Sequence, residues 1–246
     1  MKAPIFNEGD RVLFIGDSIT HTGLYSRNIF TYFATRYSNV KWSYINKGIT
    51  GGNLWYAIRQ YGWDTAESKG NKAFILFGMN DLGRDNYVDN PTAEQEQKKA
   101  KMIESYENNL EKICLLLRQN GIGEIILGVP SIFDETADVP APNCPGYNDT
   151  LKGRKDFAVR LANKYGCKVV DFNAPLLRAT RQLQKLDPTA SIVRADRIHP
   201  DEPGGWVMLS AFLHDLDCEG TVASLSVTAG GEITGRENCF AGDFFV

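Results

Sequence analysis

Short apolar runs alternate with longer stretches whose apolar residues fall at three- and four-residue steps. The runs are Val12 to Ile15, Val40 to Ile45, Ala73 to Phe77, Glu124 to Val129 and Cys167 to Phe172. Continuous apolar runs of this length, bounded by charge or glycine, predict strands buried on both faces, as in a parallel sheet. The stretches between them predict helices. Leu24, Ile29, Phe30, Phe33 and Tyr37 recur after the first run, and a helix is expected from about Leu54. A long helix over Thr92 to Gln119 carries Met102, Ile103, Tyr106, Leu110, Ile113 and Leu117 on one face, and Gly121 closes it. Leu151 to Tyr165, Ala174 to Leu186 and Pro203 to Leu216 complete the series, the last with Trp206, Leu209, Leu213 and Leu216 turned inward. Such alternation gives right-handed βαβ units, hence a five-stranded parallel sheet with helices on both faces, an α/β architecture of three layers.

Two segments break the rhythm. Ser131 to Asp149 holds Pro140, Pro142, Pro145 and Gly146 and shows no period, and long irregular loops in compact domains are usually functional or disordered. From Glu219 the texture changes: Val222, Leu225 and Val227 precede Gly230-Gly231 and Ile233 follows, which predicts a β-hairpin turning at Gly-Gly. The expected division is a main domain over 1–218 and a short C-terminal β extension over 219–246, ending in the apolar Phe244-Phe245-Val246. That ending reads either as the start of a further β-module or as a strand packed on the main domain.

Composition narrows the classes of function. A hydrophobic content of 43% with 23% charged residues fits a globular chain, and 246 residues fit one large domain with a small appendage. A net charge of -3 and the lack of a dense Lys/Arg run argue against a nucleic-acid surface. No apolar run approaches the roughly 20 residues of a membrane span. The first strand follows Met1 so closely that no signal peptide is read, and the compartment and oligomeric state stay open. Cys114, Cys144, Cys167, Cys218 and Cys239 are far apart, and with three histidines they show no metal-ligand spacing. Cys114 and Cys167 read as buried thiols. A bridge from Cys144, or between Cys218 and Cys239, fits an exported protein.

The candidate chemistry lies at strand ends, where ligands of open parallel sheets bind. Three strands run into unusual loops: Gly16-Asp17-Ser18, Gly48 to Asn53, and Gly78-Met79-Asn80-Asp81. Ser18 stands where a buried strand turns into a helix, so it either caps that helix or serves as a nucleophile beside unpaired amides. The amides of Ser18 and Gly51 and the side chain of Asn80 are candidate oxyanion donors. Gly48 and Gly52 compete with Gly51, which is chosen by its register five residues after Asn46. Of the three histidines, His214 falls on the last helix and reads as packing or surface, and His21 as a helix-start or rim residue. His199 stands in the loop Arg194-Ala195-Asp196-Arg197-Ile198-His199-Pro200, where Asp196 can fix the imidazole tautomer and leave Nε2 for a serine. The competing reading is an Asp-Arg surface pair. Trp55, Tyr56, Trp63 and Tyr147 are candidates for a substrate-binding rim, together with Asp17 and Met79.

Gly16-Asp17-Ser18-Ile19, Gly51, Gly78-Met79-Asn80-Asp81 and Asp196-Arg197-Ile198-His199 resemble the four ordered sequence blocks of the SGNH (GDSL-type) hydrolases. Ile19 replaces the leucine of the name-giving motif, a conservative apolar change. The resemblance implies a flavodoxin-like three-layer fold and esterase or lipase activity without metal or cofactor. It implies Ser18 as nucleophile, His199 as base, Asp196 as its orienting partner, and an oxyanion hole from Ser18, Gly51 and Asn80. The opening around Gly9 to His21 and the segment Val129 to Asp134 also resemble a bacterial subgroup, often exported, that removes carbohydrate esters.

The expected reaction is hydrolysis of a carboxylic ester through an acyl-enzyme, with short acyl groups such as acetyl on a glycan or another small molecule as substrate. Alternatives on the same fold are a general lipase, arylesterase or thioesterase; from another class, a non-catalytic carbohydrate-binding protein. A Gly-x-Ser-x-Gly elbow is absent because Thr20 stands at its last position, and no P-loop or dinucleotide fingerprint is present.

Overall fold

The computed structural model describes residues 5–64, 66–218, 223–237 and 239–240, apart from the side chains of 61–66. Trp63 as a rim aromatic, Val222 as part of the hairpin and the apolar ending 244–246 therefore lie outside the described residues.

A five-stranded parallel sheet forms from β1 (Arg11–Gly16), β2 (Ser43–Gly48), β3 (Lys72–Leu76), β4 (Glu124–Val129) and β5 (Lys168–Asp171), in the order β2-β1-β3-β4-β5. Central strands are buried on both faces, as their continuous apolar runs require. Edge strand β2 is only half-buried, and it pairs three residues later than its apolar run predicts. Val40 and Trp42 pack against the core ahead of the ladder, and pairing with β1 continues through polar Asn46 and Lys47.

The helices are α1 (Ser18–Thr22), α2 (Leu24–Arg36), α3 (Leu54–Asp64), α4 (Ala93–Gln119), α5 (Tyr147–Lys152), α6 (Arg154–Tyr165), α7 (Asn173–Gln184) and α8 (Glu202–Asp215). Helix α4 begins with a capping box between Thr92 and Gln95, which fixes its start where the sequence put it. The helix expected from Leu151 begins earlier and is split at Gly153. Helices α2 and α8 pack on each other, α7 lies against α8, and α3 and α4 meet elsewhere. An aromatic cluster of Phe6, Phe14, Tyr25, Phe33, Phe74, Phe172 and Phe212 fills much of the core.

Trp206 departs from expectation: it is 57% exposed. Gly205 lets α8 approach α2 closely, since a Cβ there would stand 3.3 Å from Leu24 and Asn28. The buried face of α8 is consequently Gly204, Gly205, Met208, Leu209, Ala211 and Phe212, with Trp206 on the outside.

Beyond 218, β6 (Ser224–Val227) and β7 (Ile233–Glu237) form an antiparallel hairpin whose residues are exposed or half-buried. No helix of the described residues is long and apolar enough to cross a membrane.

The sheet register sets up everything that follows. Gly16 is level with Gly48 on one side and with Leu76 on the other. The segments after β1, β2 and β3 therefore leave the sheet at one height and on one edge.

Candidate active site

Beyond Gly16 the chain turns sharply; a Cβ at Gly16 would collide with the Thr20 side chain and with the Leu76 carbonyl oxygen. Asp17 takes the cap position, its carboxylate accepting from the Ile19 amide at 2.9 Å. Ser18, which the sequence offered as cap or nucleophile, is thus the first helical residue. The helix it opens is a single turn, closed by Gly23 in the left-handed conformation.

Ser18 Oγ lies 2.7 Å from His199 Nε2, and His199 Nδ1 lies 2.6 Å from Asp196 Oδ2. The other carboxylate oxygen of Asp196 accepts the amides of Ile198 at 2.9 Å and His199 at 3.0 Å. Burial disfavours the charge on Asp196, but the bonds from the His199 amide, the His199 ring and the Ile198 amide outweigh it, holding the carboxyl below the usual range. A carboxylate so held takes the proton of Nδ1–H as a hydrogen bond and leaves Nε2 as an acceptor for the serine hydroxyl.

The three competing glycines separate by geometry. Gly48 is jammed against α1: a Cβ there would stand 2.2 Å from the His21 amide nitrogen. Gly52 donates its amide to Ile49 at 2.9 Å. Gly51 is exposed, left-handed at φ 73°, with open space where a Cβ would be, and its amide is engaged by no hydrogen bond among the described residues. Asn80 Nδ2 donates to the Gly52 carbonyl at 3.0 Å, which ties the two loops together and leaves a second N–H on the same nitrogen.

Asp81 was part of a motif in the sequence but had no assigned role. Its two oxygens accept the Leu54 amide at 2.8 Å and the Gly78 amide at 3.0 Å, so it fixes the start of α3 against the loop after β3. Burial pushes Asp81 up to about 6. Burial also pushes Asp17 up to about 7, with the charge of Asp81 adding to the rise.

Three of the residues expected at a substrate rim, Asp17, Met79 and Tyr147, have buried side chains. Asp17 caps α1, and Tyr147 donates its hydroxyl to the Met79 carbonyl at 2.7 Å, which holds the residue before Asn80. These side chains support the rim from behind because the loops fold over them. Trp55 is 55% exposed at the start of α3, four residues after Gly51, with the Arg59 guanidinium 4.6 Å from its ring centroid. Tyr56 stands next to it at the surface. His21 bonds the Gly48 carbonyl through Nδ1 at 3.1 Å, at the rim. His214 is exposed and bonds Asp215.

Arg197, which the competing reading placed in a surface Asp-Arg pair, is 5% exposed. Its signal was its place between Asp196 and His199; what it reaches was not legible. Cys114 is buried and Cys167 half-buried, and none of the five cysteines forms a disulfide. Among the described residues no group of three His, Cys, Asp or Glu converges as metal ligands would.

A family model for GDSL-like lipases and acylhydrolases matches residues 14–206. No curated protein matches the sequence. Among solved structures, the fold superposes on BT4096, a gut microbial diltiazem-metabolizing enzyme, with TM-score 0.86 and 27% identity over 98% of this chain. The chain spans 55% of that protein's length. It also superposes on Axe2, an acetylxylan esterase from Geobacillus stearothermophilus, with TM-score 0.69 and 23% identity, covering 88% of this chain and 98% of the other. Alanine variants of Axe2 at a serine, at an aspartate and at a histidine three positions after that aspartate are described as catalytic mutants.

Proposed function

The chain belongs to the GDSL-like lipase/acylhydrolase family, and from this premise we propose that it is a serine hydrolase of carboxylic esters that acts through an acyl-enzyme on Ser18, with short acyl groups on carbohydrate as its substrates. The observation that carries the reading is the unbroken line from Ser18 Oγ through the His199 ring to Asp196, beside the unengaged amide of Gly51 and the spare N–H of Asn80. Ser18 Oγ attacks the ester carbonyl while His199 Nε2 takes its proton. The carbonyl oxygen, now anionic, accepts from the amides of Ser18 and Gly51 and from Asn80 Nδ2, donors that need little reorganisation as charge develops. His199 returns the proton to the departing alkoxide. Water then attacks the acyl-enzyme by the same route and frees the acid. Asp196 keeps the imidazole in the right tautomer and stabilises the imidazolium. Its spacing of three residues from His199 is that of the aspartate and histidine replaced in Axe2.

The carbohydrate part of the reading rests on two supports. Axe2 is named for acetylxylan, and Trp55 offers an exposed indole, stacked on Arg59, close to the oxyanion loop. An indole face suits the apolar face of a sugar ring. A broader esterase of small molecules is the second reading, favoured by the likeness to the diltiazem-metabolizing enzyme. The deciding experiment measures acetate released from acetylated xylan and pectin fragments, and 4-nitrophenol released from 4-nitrophenyl acetate and octanoate, for wild type and Ser18→Ala. Preference for the glycans supports the first reading, and preference for the nitrophenyl esters the second. Turnover that survives in Ser18→Ala removes the acyl-enzyme on this serine.

A further inference from the structure

The loop that carries His199 is attached to no strand of the sheet, yet a base must stand within a fraction of an ångström of its productive place. Residues 192–201 form a closed loop whose base is the bridge between Val193 and Pro200 and whose tip is tightened by Arg194 N–H to the His199 carbonyl at 2.8 Å. Arg197 sits at that tip with φ 68°, a left-handed conformation that strains a residue with a Cβ. The turn it makes aims the next two amides, of Ile198 and His199, at Asp196.

The Arg197 side chain leaves in another direction. Its guanidinium donates to four peptide carbonyls: Asp134 at 2.8 Å, Ala137 at 2.9 Å, Val139 at 3.0 Å and Ala141 at 2.8 Å. In return the Asp134 amide donates to the Arg197 carbonyl at 2.9 Å. The gripped segment is itself rigid. The Asp134 carboxylate collects the Thr136 and Ala137 amides, the Thr136 hydroxyl, the Gln184 amide and the Ser191 hydroxyl. Glu135 accepts the amides of Gly146 and Asn148.

We propose that Arg197 is a positioning residue for the hydrolase: its guanidinium, gripping the carbonyls of residues 134–141, holds the Asp196–His199 turn at the distance from Ser18 that proton transfer requires. The inference rests on the reading of Ser18 and His199 as nucleophile and base. The aperiodic segment after β4 then serves as the wall on which the base is mounted. A lysine cannot replace the fork, because one ammonium cannot span four carbonyls in a planar arrangement.

The test uses Arg197→Lys, Arg197→Ala and Arg197→Gly, with Ser18→Ala alongside. Glycine accepts the left-handed turn without strain, so Arg197→Gly removes the grip and spares the backbone. Two readouts are taken: kcat and KM on 4-nitrophenyl acetate, and the rate at which a fluorophosphonate labels the enzyme, which reports serine activation without regard to the natural substrate. Displacement of the base is expected to lower kcat and the labelling rate on the order of 10²-fold in the alanine and glycine variants, with KM nearly unchanged. The lysine variant falls between them and wild type. Millimolar guanidinium is expected to restore part of the rate in Arg197→Gly by refilling the carbonyl cage, and to leave wild type unaffected; a fold weakened only globally would be harmed by it. Wild-type kcat and labelling in Arg197→Gly overturn the proposal, as does a rise in KM at constant kcat. If the alanine and glycine variants fail to fold, the lysine variant decides: a wild-type labelling rate there overturns it. Labelling and turnover that persist in Ser18→Ala defeat the serine reading itself, whatever the Arg197 variants do.

Discussion

The two sides of this site are built by different means. Ser18, Gly51 and Asn80 follow the ends of β1, β2 and β3, three neighbouring strands brought level by the sheet register. Their placement comes from backbone hydrogen bonds that any parallel sheet makes, sharpened by Gly16, Gly48 and Asp81. Asp196 and His199 come from a loop outside the sheet, fixed by side chains bonding to backbone: Asp196 to its own turn, and Arg197 to a second loop. A sheet edge makes a stable floor for an oxyanion hole. A loop held by a few polar contacts makes a base that depends on each of them.

The largest test of this contrast asks whether both sides act as one machine. Ser18→Ala is expected to lower kcat by roughly 10⁴-fold or more, and Ser18→Ala with Asp196→Ala to be no slower than Ser18→Ala alone, because residues that act as a unit are not additive. A double variant slower by the product of the single losses would show independent contributions. On the sheet side, Asn80→Ala is expected to lower kcat by about 10²–10³-fold with little change in KM, the usual effect of losing one oxyanion donor. A near wild-type kcat would take Asn80 out of the hole.

The glycines sharpen the comparison through stability. Gly48→Ala forces a Cβ to within 2.2 Å of the His21 amide nitrogen, so a large fall in Tm or loss of soluble protein is expected. Gly51→Ala meets open space and bears only the cost of its left-handed φ, about 1–2 kcal/mol. Equal Tm losses in denaturation scans would undo this division of roles.

A smaller effect concerns pH. Unfolded, Asp17 and Asp81 titrate at the ordinary 3.8; folded, burial raises them to about 7 and about 6. Between these values the folded chain keeps protons that the unfolded chain has released, so raising the pH favours unfolding. Tm is therefore expected to fall between pH 4 and pH 7, and Asp81→Asn, which cannot ionise, to flatten that fall. Asp10, Asp134 and Asp196 act oppositely: held below the usual range, they stabilise above 3.8, and that contribution is lost as the pH drops towards their folded values. A Tm independent of pH across the upper window would contradict the burial of the two carboxylates. The smallest effect is expected at the hairpin. Its residues are exposed or half-buried, and an isolated two-stranded hairpin adds little stability, so a chain ending at Cys218 should keep kcat/KM and most of its Tm. Loss of activity on that truncation would tie the hairpin to the site.

Much of this was legible along the chain. Buried strands announce themselves as unbroken apolar runs, and the strand ends pointed to Ser18, Gly51 and Asn80 because glycine and polar residues interrupt those runs. Strand β2 was misplaced by three residues because an edge strand need not be apolar. Trp206 was turned the wrong way because helical spacing cannot register that Gly205 admits a neighbouring helix. Asp17, Met79 and Tyr147 stand in strand-end loops and the aperiodic segment, which made them candidates for a substrate rim, but local sequence does not record that the fold buries their side chains.

The sequence by itself determined the parallel α/β order, the strand-end loops and the spacing of Asp196 from His199, all local patterns written in neighbouring residues. Only the tertiary structure decided which glycine keeps a free amide, which carboxylates are buried and why an arginine between Asp196 and His199 points away from them. Those outcomes depend on what distant segments bring to the same place. The four carbonyls around Arg197 are residues 56 to 63 positions away, and no periodicity records them.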